Sequence, residues 1–166
     1  MGKLPLDDRS SNLYHASMTD RYQDTRQHLL DTGRTILTSH GFSAMGLSFL
    51  LQEAGVPKGS FYYYFKSKDA FGEALLEQYF ADYMAELTEL LEKPGQSGAQ
   101  RLMAYWEKWL RIQAGCDSQG KCLAVKLGAE VADLSEAMRE EMNKGASQII
   151  TLLGEALEKG RQEGSL

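Results

Sequence analysis

The stretch Val56-Pro57-Lys58-Gly59-Ser60-Phe61-Tyr62-Tyr63-Tyr64-Phe65-Lys66-Ser67-Lys68 sets five aromatic residues in a row among three lysines. On a helix from Pro57 to about Phe65, side chains advance by about 100° per residue, which gathers Phe61, Tyr64 and Phe65 on one side. That side faces a core. Gly59, Ser60, Tyr62 and Tyr63 point the other way, between Lys58 and the pair Lys66 and Lys68. Two phenol rings beside small residues make an odd exterior for a merely structural helix. They suit a duplex, because a helix N-terminus attracts phosphate, Gly and Ser permit close approach, and Tyr and Lys bond phosphate oxygens.

Immediately upstream, Leu47, Leu50, Leu51 and Ala54 fall at i, i+3, i+4 and i+7, the inner stripe of a short helix. Gly55 stands where a C′ glycine ends one. Before that, Asp24 can cap a helix that runs to about His40 and shows Leu29, Leu30, Gly33, Ile36 and Leu37 on one side. His40 and Gly41 stop it. The segment from Gly41 to Lys68 therefore reads as a helix-turn-helix that grips DNA.

Downstream, Phe71, Leu75, Leu76, Tyr79, Tyr83, Leu87, Leu90 and Leu91 form one stripe from Ser67 or Lys68 to about Lys93. Some 25 residues at 1.5 Å each give a rod of roughly 37 Å. Pro94 to Gly98 breaks it. A further helix, Ala99 to about Ala114, carries Leu102, Met103, Trp106, Trp109 and Leu110. After a loop from Gly115 to Gly120, Cys122 to Val131 reads as a helix. Asp133 with Glu136 resembles a capping box opening a last helix from about Leu134 to Gln162. Prolines interrupt none of these segments, and Val, Ile and Thr are too scattered for strands. The expected fold is all-α: an N-terminal three-helix DNA-binding head, a long fourth helix, and a C-terminal helical effector and dimerisation body. The expected divisions are a disordered or tag-like tail over 1–21, a head over 22–82 and a body over 83–166.

The chain has 166 residues, is 43% hydrophobic and has a net charge of −5, which taken alone disfavours a nucleic-acid partner. The distribution of that charge points the other way. Residues 1–68 hold eight basic and six acidic side chains and all three histidines, so the other 98 residues carry a net −7. A mildly basic head sits on an acidic body. The absence of a long apolar run or a signal-like N-terminus leads to an expectation of a cytoplasmic protein without a membrane partner. Neither a disulfide framework nor a metal site is indicated by Cys116 and Cys122, and no cofactor is expected. No Ser-His-Asp set, phosphate-binding glycine loop or paired carboxylates at catalytic spacing appears, so the chain is not read as an enzyme.

Gly41-Phe42, the Leu47-to-Val56 helix and turn, and Val56 to Lys68 together resemble the head of the tetracycline-repressor (TetR) family. The resemblance implies that the third helix enters the major groove and that a lysine opening the fourth helix, here Lys68, holds a phosphate. It places Lys58, Gly59, Ser60, Tyr62 and Tyr63 at DNA-facing positions. Met45 and Gly46 occupy the place where the family usually has hydroxyl residues that cap the second helix and touch phosphate. Ser48 is the alternative donor there. The implied partners are double-stranded operator DNA and a second copy of the chain.

Lys121 to Glu136 is similar to the subgroup of that family that contains the N-ethylmaleimide reductase repressor, whose members respond to electrophiles or oxidants through cysteine. The local chemistry agrees: Cys122 at a helix start, beside Lys121 and one turn from Lys126, is placed to favour thiolate. The other reading of Cys122 is a small buried hydrophobe, and Cys116 is a second candidate. A different signal is an apolar effector in a cavity lined by Met103, Trp106, Trp109, Met138, Met142 and Tyr83, against the alternative that these are ordinary core.

Related regulators usually continue into two further dimerising helices. Either that part is absent from this sequence or dimerisation is rebuilt from the last helix. The expected function is a sequence-specific transcription regulator, a repressor released by a small molecule or by cysteine modification. The alternative is a helical ligand-binding or thiol-redox protein that does not act on DNA.

Overall fold

The computed structural model describes residues 9–114, 125, 127, 130 and 134–166, with side chains from residue 24 onward. Six helices are present among the described residues: α1 (Arg9–His40), α2 (Leu47–Ala54), α3 (Lys58–Tyr64), α4 (Lys68–Leu91), α5 (Gly98–Ala114) and α6 (Glu136–Gln162). No strand occurs among them, so the all-α expectation holds. None is long and apolar enough to cross a membrane. Two bounds differ from the sequence reading. The first helix begins at Arg9 rather than under Asp24, because no Gly or Pro between Arg9 and Thr32 stops it. The last opens under Ser135, whose Oγ accepts from the Met138 N–H at 3.4 Å, rather than under Asp133, which lies outside the described residues. The expected helix over Cys122 to Val131 also falls largely outside them.

The three helices of the head close on a core of Leu29, Leu30, Ile36, Leu37, Leu50, Phe61, Phe65, Phe71 and Leu75. Burying side chains of this size contributes about 1.5–3 kcal/mol each, which is what holds two helices as short as α2 and α3 in place. The α2–α3 turn depends on Gly55. Its φ of 63° is left-handed, and its N–H reaches the Gln52 carbonyl at 3.2 Å while Val56 N–H reaches that of Leu51 at 3.1 Å.

Helix α4 leaves the head and packs along α6. A Cβ on Gly145 would run into the Phe80 ring, so glycine there lets the two axes approach. Further along, Leu87, Leu91, Leu102 and Tyr105 form a second core with Leu152, Leu153 and Ala156. Its far end is fastened by Arg101, which is buried, donates to the Leu91 carbonyl at 3.1 Å and pairs with Glu163 at 3.3 Å. The Arg34–Asp82 pair, 2.9 Å, joins α1 to α4 at the surface.

Candidate nucleic-acid interface

The candidate interface draws on three helix starts: α2, α3 and α4. Gly46 is the N-cap of α2, extended at φ −69° and ψ 144°, with no side-chain hydrogen bond to the helix. The place where a hydroxyl would cap is thus vacant of one, as the sequence indicates. Ser48 is exposed on the first turn. Met45 is not a surface residue: it is 1% exposed and belongs to the head core. The Phe42–Gly46 turn, closed by Met45 N–H to Phe42 carbonyl at 3.1 Å, folds its side chain inward, which corrects the assignment of Met45 as a DNA contact.

Pro57, at φ −62° and ψ 146°, caps α3, and its carbonyl accepts from Ser60 N–H at 2.9 Å and Phe61 N–H at 3.3 Å. Phe61 is fully buried among Phe65 and Phe71, whose ring centres lie 5.5 and 5.6 Å away. Tyr64 is half-buried. The inward set is therefore Phe61, Phe65 and, in part, Tyr64. On the outer side Lys58 and Gly59 are exposed, Ser60 is partly covered, and Tyr62 and Tyr63 are 48% and 72% exposed. Tyr62 stands edge-on to Phe61 at 5.5 Å with the Lys58 ammonium 5.9 Å from its ring centre. Tyr63 stands edge-on to Tyr64 at 5.2 Å. Both phenols are propped by the rings that anchor the helix, so their hydroxyls project at little further entropic cost.

Lys68 is the first residue of α4, whose N-cap Ser67 accepts from Ala70 N–H at 3.0 Å. Its ammonium also donates to the Phe42 carbonyl at 3.2 Å and lies 4.4 Å from the Phe42 ring centre. The same lysine that opens α4 thus secures the turn that delivers α2. Two features have no counterpart in the sequence reading. Phe49, partly exposed on α2, stands edge-on to His40 at 5.8 Å, and its position off the Leu47–Leu50–Leu51–Ala54 stripe was the available signal. Glu130 accepts from both the N–H and the hydroxyl of Ser43, at 3.0 and 3.1 Å, across 87 positions of sequence, and no local pattern announces it.

The candidates for sensing divide differently. Cys116, Cys122 and Lys126 lie outside the described residues. Met103 and Trp106 are 59% and 48% exposed on the outer side of α5, because the inner side is taken by Gly98, Arg101, Leu102 and Tyr105. Met138 is instead fully buried in the head-proximal core, with Met142 and Tyr83 packed against it. Among the described residues, Met103 and Trp106 therefore do not face the core that holds Met138. Trp109 is half-buried and edge-on to Trp106 at 6.4 Å. The Tyr83 and Tyr105 hydroxyls meet at 3.3 Å.

Residues 29–75 match the model of the tetR family of bacterial regulatory proteins, and residues 98–166 match that of the tetracyclin repressor-like C-terminal domain. The HTH-type transcriptional repressor NemR of Escherichia coli strain K12 is 50% identical over 143 residues, which span 86% of this chain and 72% of that one. The crystal structure of E. coli NemR in its reduced form superposes with a TM-score of 0.80 at 51% identity, covering 84% of this chain and 72% of the other. The HTH-type transcriptional repressor DhaR of Mycobacterium sp. strain GP1 is 30% identical over 141 residues, 85% of this chain and 69% of its own.

Proposed function

The chain belongs to the TetR family of bacterial regulatory proteins, and from that premise we propose that it is a transcriptional repressor that holds operator DNA by the outer side of α3 and is released by a chemical signal in its body. It is a regulator rather than an enzyme. The observation that carries the reading is the outward pair Tyr62 and Tyr63, set beside Lys58 on a helix whose other side is locked into the core by Phe61 and Phe65. A helix in the major groove presents its first residues to base edges, while hydroxyl and ammonium groups at its margins bind phosphate.

In this arrangement Lys58, Gly59 and Ser60 approach the bases, Tyr62 and Tyr63 reach the backbone on either side, and Lys68 with Ser48 and the Gly46 N-terminus of α2 hold flanking phosphates. Like other members of its family, the chain acts as a dimer, whose two heads read half-sites roughly 34–36 Å apart, one turn of DNA. The signal is either an apolar small molecule or modification of a thiol, with Cys122, beside Lys121 and near Lys126, the first candidate and Cys116 the second. Modification would shift α4, the rod that links body to head, and carry the two copies of α3 out of register with successive grooves.

Fluorescence anisotropy with a labelled promoter duplex tests the reading. Affinity should fall steeply as salt rises, because each lysine–phosphate contact releases a counterion. Absence of binding at low salt would refute it. For the thiol signal, Cys122→Ser should abolish release by N-ethylmaleimide, and release that persists would assign the thiol a structural place.

A further inference from the structure

The turn between α1 and α2 is held from two sides by residues distant in sequence. Lys68 of α4 takes the Phe42 carbonyl at 3.2 Å, and Glu130 takes the next residue, Ser43, by its N–H at 3.0 Å and its hydroxyl at 3.1 Å. Gly41 leaves room for this grip: its φ is 86°, and a Cβ there would overlap the Glu130 carboxylate. Glu130 is itself seated on the core, since its N–H donates to the Leu127 carbonyl at 2.9 Å and Leu127, Leu134 and Met138 are buried. Met138 and Phe42 meet over Gly72 of α4, so the base of Glu130 and the turn share one packed junction.

Helix α2 has eight residues and no side-chain cap, so its own hydrogen bonds do not fix where its N-terminus lies. That placement falls to the turn before it. We infer that Glu130 is a positioning residue for DNA reading: its carboxylate, accepting from Ser43, sets the α2 start relative to Lys68 and ties that setting to the position of Leu127, Leu134 and Met138 in the body. The inference rests on the DNA-binding reading and adds to it a named joint between body and head. Hydrogen bonds to a charged acceptor are the stronger kind, and the alternative to this pair is a solvated carboxylate with the turn released on that side.

The full 166-residue chain is tested on a fluorescein-labelled duplex selected by the wild type from a random library, and on an unrelated duplex of equal length. Glu130→Ala should weaken the selected duplex about tenfold and leave the unrelated one within about twofold, since one charged hydrogen-bond pair is lost and no phosphate contact is. Glu130→Gln, which keeps an oxygen for both Ser43 donors, should restore the preference. Ser43→Ala, which removes only the hydroxyl donor, should move in the same direction by less, and it serves if Glu130→Ala does not fold. Equal losses on both duplexes would assign Glu130 a purely structural place and overturn the inference. Tighter binding by both Glu130 variants would mean that the charge merely repels phosphate, and unchanged binding by Glu130→Ala or, where that variant fails to fold, by Ser43→Ala would equally overturn it. If the wild type selects no duplex, the DNA-binding reading itself falls, an outcome distinct from failure confined to the variants.

Discussion

The Lys68 ammonium lies 3.2 Å from the Phe42 carbonyl oxygen and 4.4 Å from the centre of the same residue's ring. One of its three N–H donors is thereby spent on the fold, which leaves two for the phosphate contact proposed above. Lys68→Ala should weaken binding of all duplexes alike and reduce the salt slope by about one. It should also lower the melting temperature, because the Phe42 carbonyl loses its donor. An unchanged salt slope in an anisotropy titration would remove Lys68 from the interface.

Gly46 offers the opposite case, a cap left unfilled. A Cβ there meets nothing within 4 Å, and the backbone is already in the extended conformation of an N-cap. Gly46→Ser should raise stability by a few tenths of a kcal/mol, the usual difference between Ser and Gly at this position. Calorimetry would measure it, and a lower melting temperature would contradict the capping geometry.

Phe61 and Tyr63, two residues apart, should separate stability from binding. Phe61→Ala empties a fully buried ring site and should cost about 3–5 kcal/mol. Tyr63→Ala, at a side chain 72% exposed, should leave chemical denaturation within about 0.5 kcal/mol of the wild type and still weaken DNA binding. Urea melts paired with anisotropy would show the split, and a Tyr63→Ala chain with undiminished DNA affinity would break it.

At the other end of the molecule, Glu163→Ala strips the buried Arg101 of its counter-charge. A fully enclosed pair broken in this way costs roughly 3–5 kcal/mol, and partial exposure of Glu163 brings the expected loss to about 2 kcal/mol. Arg101→Met should be milder than Glu163→Ala, since it removes the charge along with its need. The reverse order in denaturant melts would mean that the Arg101 bond to the Leu91 carbonyl outweighs the pair.

Hydrogen bonds from Arg161, and secondarily from Gln162, hold the exposed Glu158 carboxyl below its ordinary range. A carboxyl whose folded value is depressed adds stability above its unfolded value and loses it as pH falls through the folded one. Arg161→Ala should therefore flatten the pH dependence of stability within the carboxylate range, modestly and less at high salt. Melting temperatures taken from neutral pH into that range would check it, and identical profiles for both chains would deny the pair any part.

What the sequence made legible was local. The i, i+3, i+4, i+7 stripe of α2, the Gly55 that ends it and the inward and outward sets of α3 are all decided within a few residues, and they are as read but for Tyr64 and Ser60, which are each only partly covered. Met45 was misplaced because a resemblance carries a position in a motif but not the direction in which a turn sends its side chain. Met103 and Trp106 lie at the outer end of a broad apolar arc on α5 that runs from Ile112 through Trp109 and Leu102 to Met103, so periodicity alone did not choose which part of the arc faces the core. Glu130 was invisible for a different reason. Its partner Ser43, 87 positions away, is brought to it only by the tertiary packing that seats Leu127, Leu134 and Met138 in the head-proximal core.

Whether α3 lies in the major groove is decided by protection of guanine N7 from dimethyl sulfate on a bound operator, because that atom lies in the major groove. Two protected patches are expected, centred about one helical turn or a whole number of turns apart. Tyr62→Ala combined with Tyr63→Ala should lose both together with affinity. Tight binding with no major-groove protection, or protection unaffected by that double substitution, would contradict the placement of α3 on DNA.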